Sequence, residues 1–196
     1  MKILITGGNR GLGKFLVDNL EGTSISRANG FDITKDVDKI ATLSLEYDVF
    51  INNAFDGPPH ESHANFAQTK LYFAVYDMWK NADRSGYIFN IGSTGSKSII
   101  PPEPRFNTYG VSKAALEHAS KQGSQSFRKN EVKFKTSLLS FDRLDTELSR
   151  SKPNWTGNGI HMNDILNIIK CCLVSGENTC LDEATLLCNL NYNQIK

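Results

Sequence analysis

Lys2–Gly13 reads KILITGGNRGLG, a short apolar run that ends in four glycines within eight residues. The run has the composition and length of a buried strand, and the glycines stop it abruptly. Beyond them Leu12, Phe15, Leu16 and Leu20 recur at helical spacing, so the stretch reads as strand, glycine-rich turn, helix. Ordering so flexible a turn is costly. It is therefore either a tight structural turn or a place where backbone must come close to a ligand. A helix that starts directly after such a turn points unpaired amides and the positive end of its dipole outward, which favours an anion such as a diphosphate.

The same alternation continues along the chain. TSISR (23–27) is a short second strand, FDIT (31–34) a third, and KDVDKIATLSLE (35–46) a helix. YDVFINNA (47–54) is a strand running into an Asn-Asn turn, followed by a helix over 64–81 and the strand GYIFNIGS (86–93). A proline-bearing loop leads to a helix over 109–128, the strand KFKTSLLS (133–140), an irregular stretch near 153–159, a helix over 163–174 and a final strand over 184–190. Strands alternating with helices predict an α/β chain: a doubly wound parallel sheet covered on both faces, three layers α/β/α. With 196 residues and no internal repeat or linker-like tract, residues 1–196 are expected to form a single domain.

Composition narrows the function classes. Twenty-two basic residues nearly cancel 21 acidic ones, leaving a formal charge of +1, and no basic stripe carries interleaved aromatics. Nucleic acid is not the expected partner. No apolar run approaches the roughly 20 residues needed to span a bilayer, so no membrane partner is expected either. The N-terminal residues lack a signal-peptide pattern, and a cytoplasmic protein is the expectation. The four cysteines, Cys171, Cys172, Cys180 and Cys188, show no paired ligand spacing and are read as reduced thiols, mostly buried, without a metal.

TGGNRGLG (6–13), FDIT (31–34), INNA (51–54), FNIGS (89–93) and YGVSK (109–113), in that order on those elements, resemble the short-chain dehydrogenase/reductase family. The likeness runs from Lys2 to about Thr146. It implies a Rossmann-like fold, a nicotinamide dinucleotide and a substrate bearing a carbonyl or secondary alcohol. Thr6, Gly7, Asn9, Arg10, Gly11, Leu12 and Gly13 would hold the diphosphate region. Asn53 and Ala54 would line the adenosine side of the groove, and Ile91 the nicotinamide side.

Tyr109 and Lys113 stand four apart and share a helix face. By resemblance Tyr109 is the acid/base, and Lys113 lowers its pKa and holds the nicotinamide ribose. Ser93 hydrogen-bonds the substrate oxygen, and Asn65, on the long helix, carries a proton relay. An ordinary phenol titrates near pH 10, so a neighbouring cation is what this chemistry asks for. At the adenosine end no carboxylate closes the second strand. Arg27, assisted by Arg10, is placed to pair with a 2′-phosphate, which favours NADP(H) over NAD(H). Asp32 lies nearly where a ribose-binding acid would fall and is the competing reading.

The chain departs from the family pattern in four places. The crossover helix between Arg27 and Phe31 is missing. Phe55 follows INNA where glycine is usual. The Ser93–Tyr109 interval is long and proline-bearing, and Phe141-Asp142 replaces Pro-Gly. Asp142 either repels anions or caps the next turn, and Thr146 stands where the family binds the carboxamide. Trp155 in the short segment 148–161 either covers the pocket or packs on the body. LYFAVYDMW (71–79) is apolar nearly all round, and Ala114, Ala115 and Ala119 permit close helix approach. A homodimer through these helices, or a tetramer containing it, is expected. The different-class alternative is a non-catalytic NAD(P)-binding regulator or scaffold.

Overall fold

In a computed structural model of the chain the described residues are 1–55, 66–99, 108–152, 155 and 157–189. The elements run β1 (Ile3–Thr6), α1 (Gly11–Leu20), β2 (Thr23–Ile25), α2 (Val37–Ser44), β3 (Val49–Asn52), α3 (Ala67–Asn81), β4 (Ser85–Ile91), α4 (Thr108–Arg128), β5 (Lys133–Phe141), α5 (Glu147–Arg150), α6 (Met162–Leu173) and β6 (Glu183–Leu186). Short 3₁₀ turns follow β2 (Arg27–Asn29) and β4 (Thr94–Lys97).

The six strands form one parallel sheet in the order β2-β1-β3-β4-β5-β6. Successive side chains on a strand point to opposite faces, and the two cores divide accordingly. Ile3, Ile5, Val49, Ile51, Tyr87 and Phe89 pack with α1 and α6. Leu4, Phe50 and Ile88 pack with α2, α3 and α4 around Trp79, Leu71 and Phe134. Trp79 is fully buried with its indole N–H donated to Ser44 Oγ at 2.9 Å, so its burial leaves no orphan donor. This is the expected three-layer, doubly wound arrangement.

FDIT is not a strand. Asp32 Oδ1 accepts the Thr34 N–H at 2.9 Å and the Thr34 hydroxyl at 2.7 Å, folding the segment into a turn that leads to α2. This local closure outweighs the apolar alternation of four residues. With neither crossover helix nor third strand there, β2 is the sheet's edge, as the missing helix between Arg27 and Phe31 implies. The one-turn helix α5 is a feature the residue pattern did not suggest. The chain leaves β1 toward β2 on one side and later returns to β3 on the other, so the crevice beyond the carboxyl ends of β1 and β3 is the topological switch point where ligands bind in such sheets.

Candidate active site

Three segments meet at the carboxyl end of the sheet: the glycine turn after β1, the end of β3, and the turn after β4 facing the start of α4. In the first, Thr6 is completely buried and serves as a clasp. Its Oγ1 accepts the amides of Asn53 at 2.9 Å and Ala54 at 2.8 Å, while Asn53 Nδ2 donates to the Thr6 carbonyl at 2.9 Å. Thr6, Asn53 and Ala54 thus bind one another and form the floor of the groove.

Above that floor the glycines do two different things. Gly13 packs so closely that a Cβ would run into the Gly7 carbonyl oxygen and come 2.6 Å from Asn53 Nδ2. Gly11 sits at φ +54° with nothing within 4 Å of where a Cβ would stand. The first allows helix and strand to touch, and the second leaves backbone facing open space. Arg10, the N-cap of α1, makes no side-chain capping bond, and the first turn of α1 holds no acidic residue. A diphosphate fits this cradle. Asn9 Oδ1 accepts the Ser24 hydroxyl at 3.2 Å, which fixes the turn against β2.

Beyond β2 Arg27 opens the 3₁₀ turn, and Arg10, on the far side of α1 in sequence, is exposed on the glycine turn. The hydrogen bonds from Thr34 hold the Asp32 carboxyl below the usual carboxylate range, and that carboxylate is committed to its own turn.

At the other end Ser93 caps the turn after β4, its Oγ accepting the Gly95 amide at 3.1 Å. The Tyr109 ring and Ser93 Oγ lie side by side across Gly95, and the Ser93 hydroxyl favours the phenolate. With an N–H already pointing into Ser93 Oγ, the serine's own proton is available to the phenolic oxygen. Phe55 stands edge-on to Tyr109, with ring centres 5.0 Å apart. Lys113, one helical turn on, is 4% exposed, and its Nζ lies 5.8 Å from the centre of the Tyr109 ring and 5.4 Å from that of Phe55. Its ammonium donates to the Ile91 carbonyl and to Gln68 Oε1, each at 2.8 Å.

Burial pushes the Tyr109 phenol above its usual value, partly offset by the Ser93 hydroxyl. The rise is the net result of desolvation outweighing that contribution, with the Lys113 ammonium 5.8 Å from the ring centre and bonded to Gln68 and Ile91.

Ser93, Tyr109, Lys113 and Ile91 are therefore brought together, and the glycine turn with Asn53 and Ala54 lies on the same sheet edge. Asn65 lies outside the described residues, as does the proline-bearing part of the loop before α4. Thr146 caps α5, its Oγ1 accepting the Ser149 amide at 3.2 Å. The Asp142 carboxylate accepts the Thr94 hydroxyl at 2.5 Å and the Cys188 amide at 3.2 Å, so it ties the end of β5 to two other segments and does not cap the turn that follows it. Trp155 packs on the body, against Gly159 and beneath the Arg143 guanidinium 5.9 Å from its ring. All four cysteines are free thiols, with Cys171 exposed and Cys172 buried. Among the described residues no His, Cys, Asp or Glu group could hold a metal, and no helix is long and apolar enough to cross a membrane.

Gln68 and Phe55 contribute to the site without having been singled out as site residues. Gln68 carries a signal in the sequence, as an amide in the otherwise apolar 68, 71, 72, 75, 79 stripe of α3.

No family model and no curated protein matches the chain. Solved structures do. A β-ketoacyl-[ACP] reductase from Bacteroides thetaiotaomicron superposes with a TM-score of 0.71 at 22% identity, over 100% of both chains. A 4-hydroxyisoleucine dehydrogenase complexed with NADH gives 0.72 at 19% identity, over 95% of this chain and 96% of that one. A short-chain dehydrogenase from Burkholderia cenocepacia in complex with NADP gives 0.69 at 20%, over 94% and 89%. At these identities the likeness is one of fold: the chain has the fold of the short-chain dehydrogenases/reductases.

Proposed function

We propose that residues 1–196 form a single nicotinamide-dinucleotide-binding domain that acts as an NADP(H)-dependent oxidoreductase, reducing a small carbonyl compound or oxidising a secondary alcohol. The observation that carries this reading is the Tyr109 phenol, beside Ser93 and backed by the buried Lys113 ammonium at the sheet edge that also holds the glycine cradle. Structures of the same fold complexed with NADH and with NADP support a nicotinamide partner.

Gly7, Gly11, Leu12 and Gly13 would receive the diphosphate, Asn53 and Ala54 the adenosine side, and Ile91 and Lys113 the nicotinamide ribose side. When bound, the dinucleotide supplies the hydride that reaches the carbonyl carbon. Tyr109 delivers its proton to the carbonyl oxygen, and Ser93 donates a hydrogen bond to that oxygen as charge grows on it. Lys113 steadies the phenolate that remains. Asn65 would connect the pair to solvent, and Thr146 would meet the carboxamide. A chain that only binds a dinucleotide has no use for a buried phenol–serine–ammonium cluster. NADPH oxidation across a panel of small carbonyl compounds at several pH values tests the reading: turnover is expected. Tight NADPH binding without turnover on any of them would favour the regulator or scaffold alternative.

The preference for NADP(H) rests on Arg27 and Arg10 and on the commitment of Asp32 to its own turn. Arg27→Ala is expected to weaken NADPH by about 10- to 100-fold, the worth of a charge-assisted hydrogen bond, and NADH by little. Equal losses in parallel titrations would favour NAD(H). Pairing of two chains through α3 and α4 belongs to the same reading. Phe73 and Val111, on the outward sides of these helices, are about half exposed. A cytoplasmic location goes with the free thiols.

A further inference from the structure

Gln68 is 4% exposed, and both ends of its carboxamide are committed. Nε2 donates to the Asn52 carbonyl at 2.7 Å and to the Ile91 carbonyl at 3.1 Å; Oε1 accepts Lys113 Nζ at 2.8 Å. The reversed amide would set its oxygen against two carbonyls and its N–H₂ against an ammonium, so chemistry allows one orientation. Asn52 holds the arrangement from below, its Nδ2 donating to the Gln68 carbonyl at 2.9 Å and to Asn90 Oδ1 at 2.8 Å, while Asn90 Nδ2 donates to Ser120 Oγ at 2.9 Å. A buried amide network joins β3, β4, α3 and α4, and Lys113 is hung from it.

We propose that Gln68 is a positioning residue that fixes where the Lys113 charge stands relative to the Tyr109 phenol. It does so without touching substrate or dinucleotide. The inference rests on the oxidoreductase reading for its purpose, and on the contacts above for its existence. The groups facing Tyr109 are Ser93 and Gly95 from the turn after β4, Phe55 from the end of β3, and Lys113 from its own helix. The Asp142 carboxylate, at the end of β5, is taken by Thr94 and Cys188. Among these described groups Lys113 is the cation able to tune the phenol. A glutamate at 68 would put a negative charge against it and cancel much of its field at Tyr109.

The test is the titration of tyrosine labelled at the phenolic carbon, followed by NMR, with the Tyr109 signal assigned by its loss in Tyr109→Phe. Gln68→Glu is expected to raise the Tyr109 midpoint by about one pH unit. An unchanged midpoint in the folded variant overturns the inference. A buried glutamate also acts on the phenol directly, so Gln68→Met, which removes the acceptor without adding charge, is measured beside it. The midpoint then departs from wild type by at least about half a pH unit, and coincident curves overturn the inference. Neither measurement needs dinucleotide or turnover. A wild-type chain inactive on every carbonyl compound would sink the oxidoreductase reading and leave this result standing, and the reverse failure is equally separable.

Discussion

Tyr109→Phe is expected to bind NADPH as the wild-type chain does and to lose about 10³-fold in kcat, within the usual range for removing a general acid. The substitution deletes one oxygen. The ring stays against Phe55, whose edge contact at 5.0 Å depends on ring and not hydroxyl. Lys113 keeps its bonds to Gln68 Oε1 and the Ile91 carbonyl. What disappears is the proton donor beside Ser93. Dinucleotide affinity, measured by fluorescence titration, is expected to stay within about threefold, since on this account the phenol acts on the reacting oxygen more than on the bound dinucleotide. Retained turnover would move the acid/base role elsewhere. Loss of dinucleotide binding together with activity would make Tyr109 a structural residue.

Gly13→Ala produces the second large effect, on binding and stability together. The new Cβ has no room. It meets the Gly7 carbonyl oxygen and lies 2.6 Å from Asn53 Nδ2, whose bond to the Thr6 carbonyl closes the groove floor. Backbone must move, because the nearest atoms belong to the Gly7 carbonyl and the Asn53 amide is held by its bond to Thr6. Overpacking of this kind costs about 1–3 kcal/mol, visible as a lower denaturation midpoint. The first turn of α1 shifts with it, and NADPH affinity is expected to fall at least about 100-fold, or roughly 2.7 kcal/mol. Gly11→Ala separates the two effects. Its Cβ meets nothing within 4 Å, so the stability cost is that of a left-handed φ, about 1–2 kcal/mol, while the methyl fills the space the diphosphate would take. Wild-type NADPH affinity in both variants would place the dinucleotide elsewhere.

The parts of the fold legible in the sequence are those set by long periodic segments. β4, α4 and β5 lie within a residue or two of their expected bounds, because seven to 21 residues of consistent pattern leave little room for another reading. FDIT was misread for the opposite reason: four residues of strand-like composition cannot compete with an aspartate that closes on the amide and hydroxyl two residues later. The glycine turn showed its two-fold use only in three dimensions, where close packing at Gly13 and open space at Gly11 separate. The Tyr109–Lys113 spacing was readable, since four residues on a helix is one face. The direction of the Tyr109 shift was not, because burial comes from Phe55 and the surrounding core, which residue spacing does not report. Asp142 likewise resolved only through its partners on two other segments, Thr94 and Cys188.

A crystal structure of the chain grown with NADP⁺ tests the central claim most directly. The diphosphate should lie on the amides that open α1, beside Gly11, with the nicotinamide ribose within hydrogen-bonding reach of Lys113 and the Tyr109 hydroxyl facing the nicotinamide. A groove left empty at saturating dinucleotide, or one in which the Tyr109 hydroxyl points away from the bound nicotinamide, would contradict it.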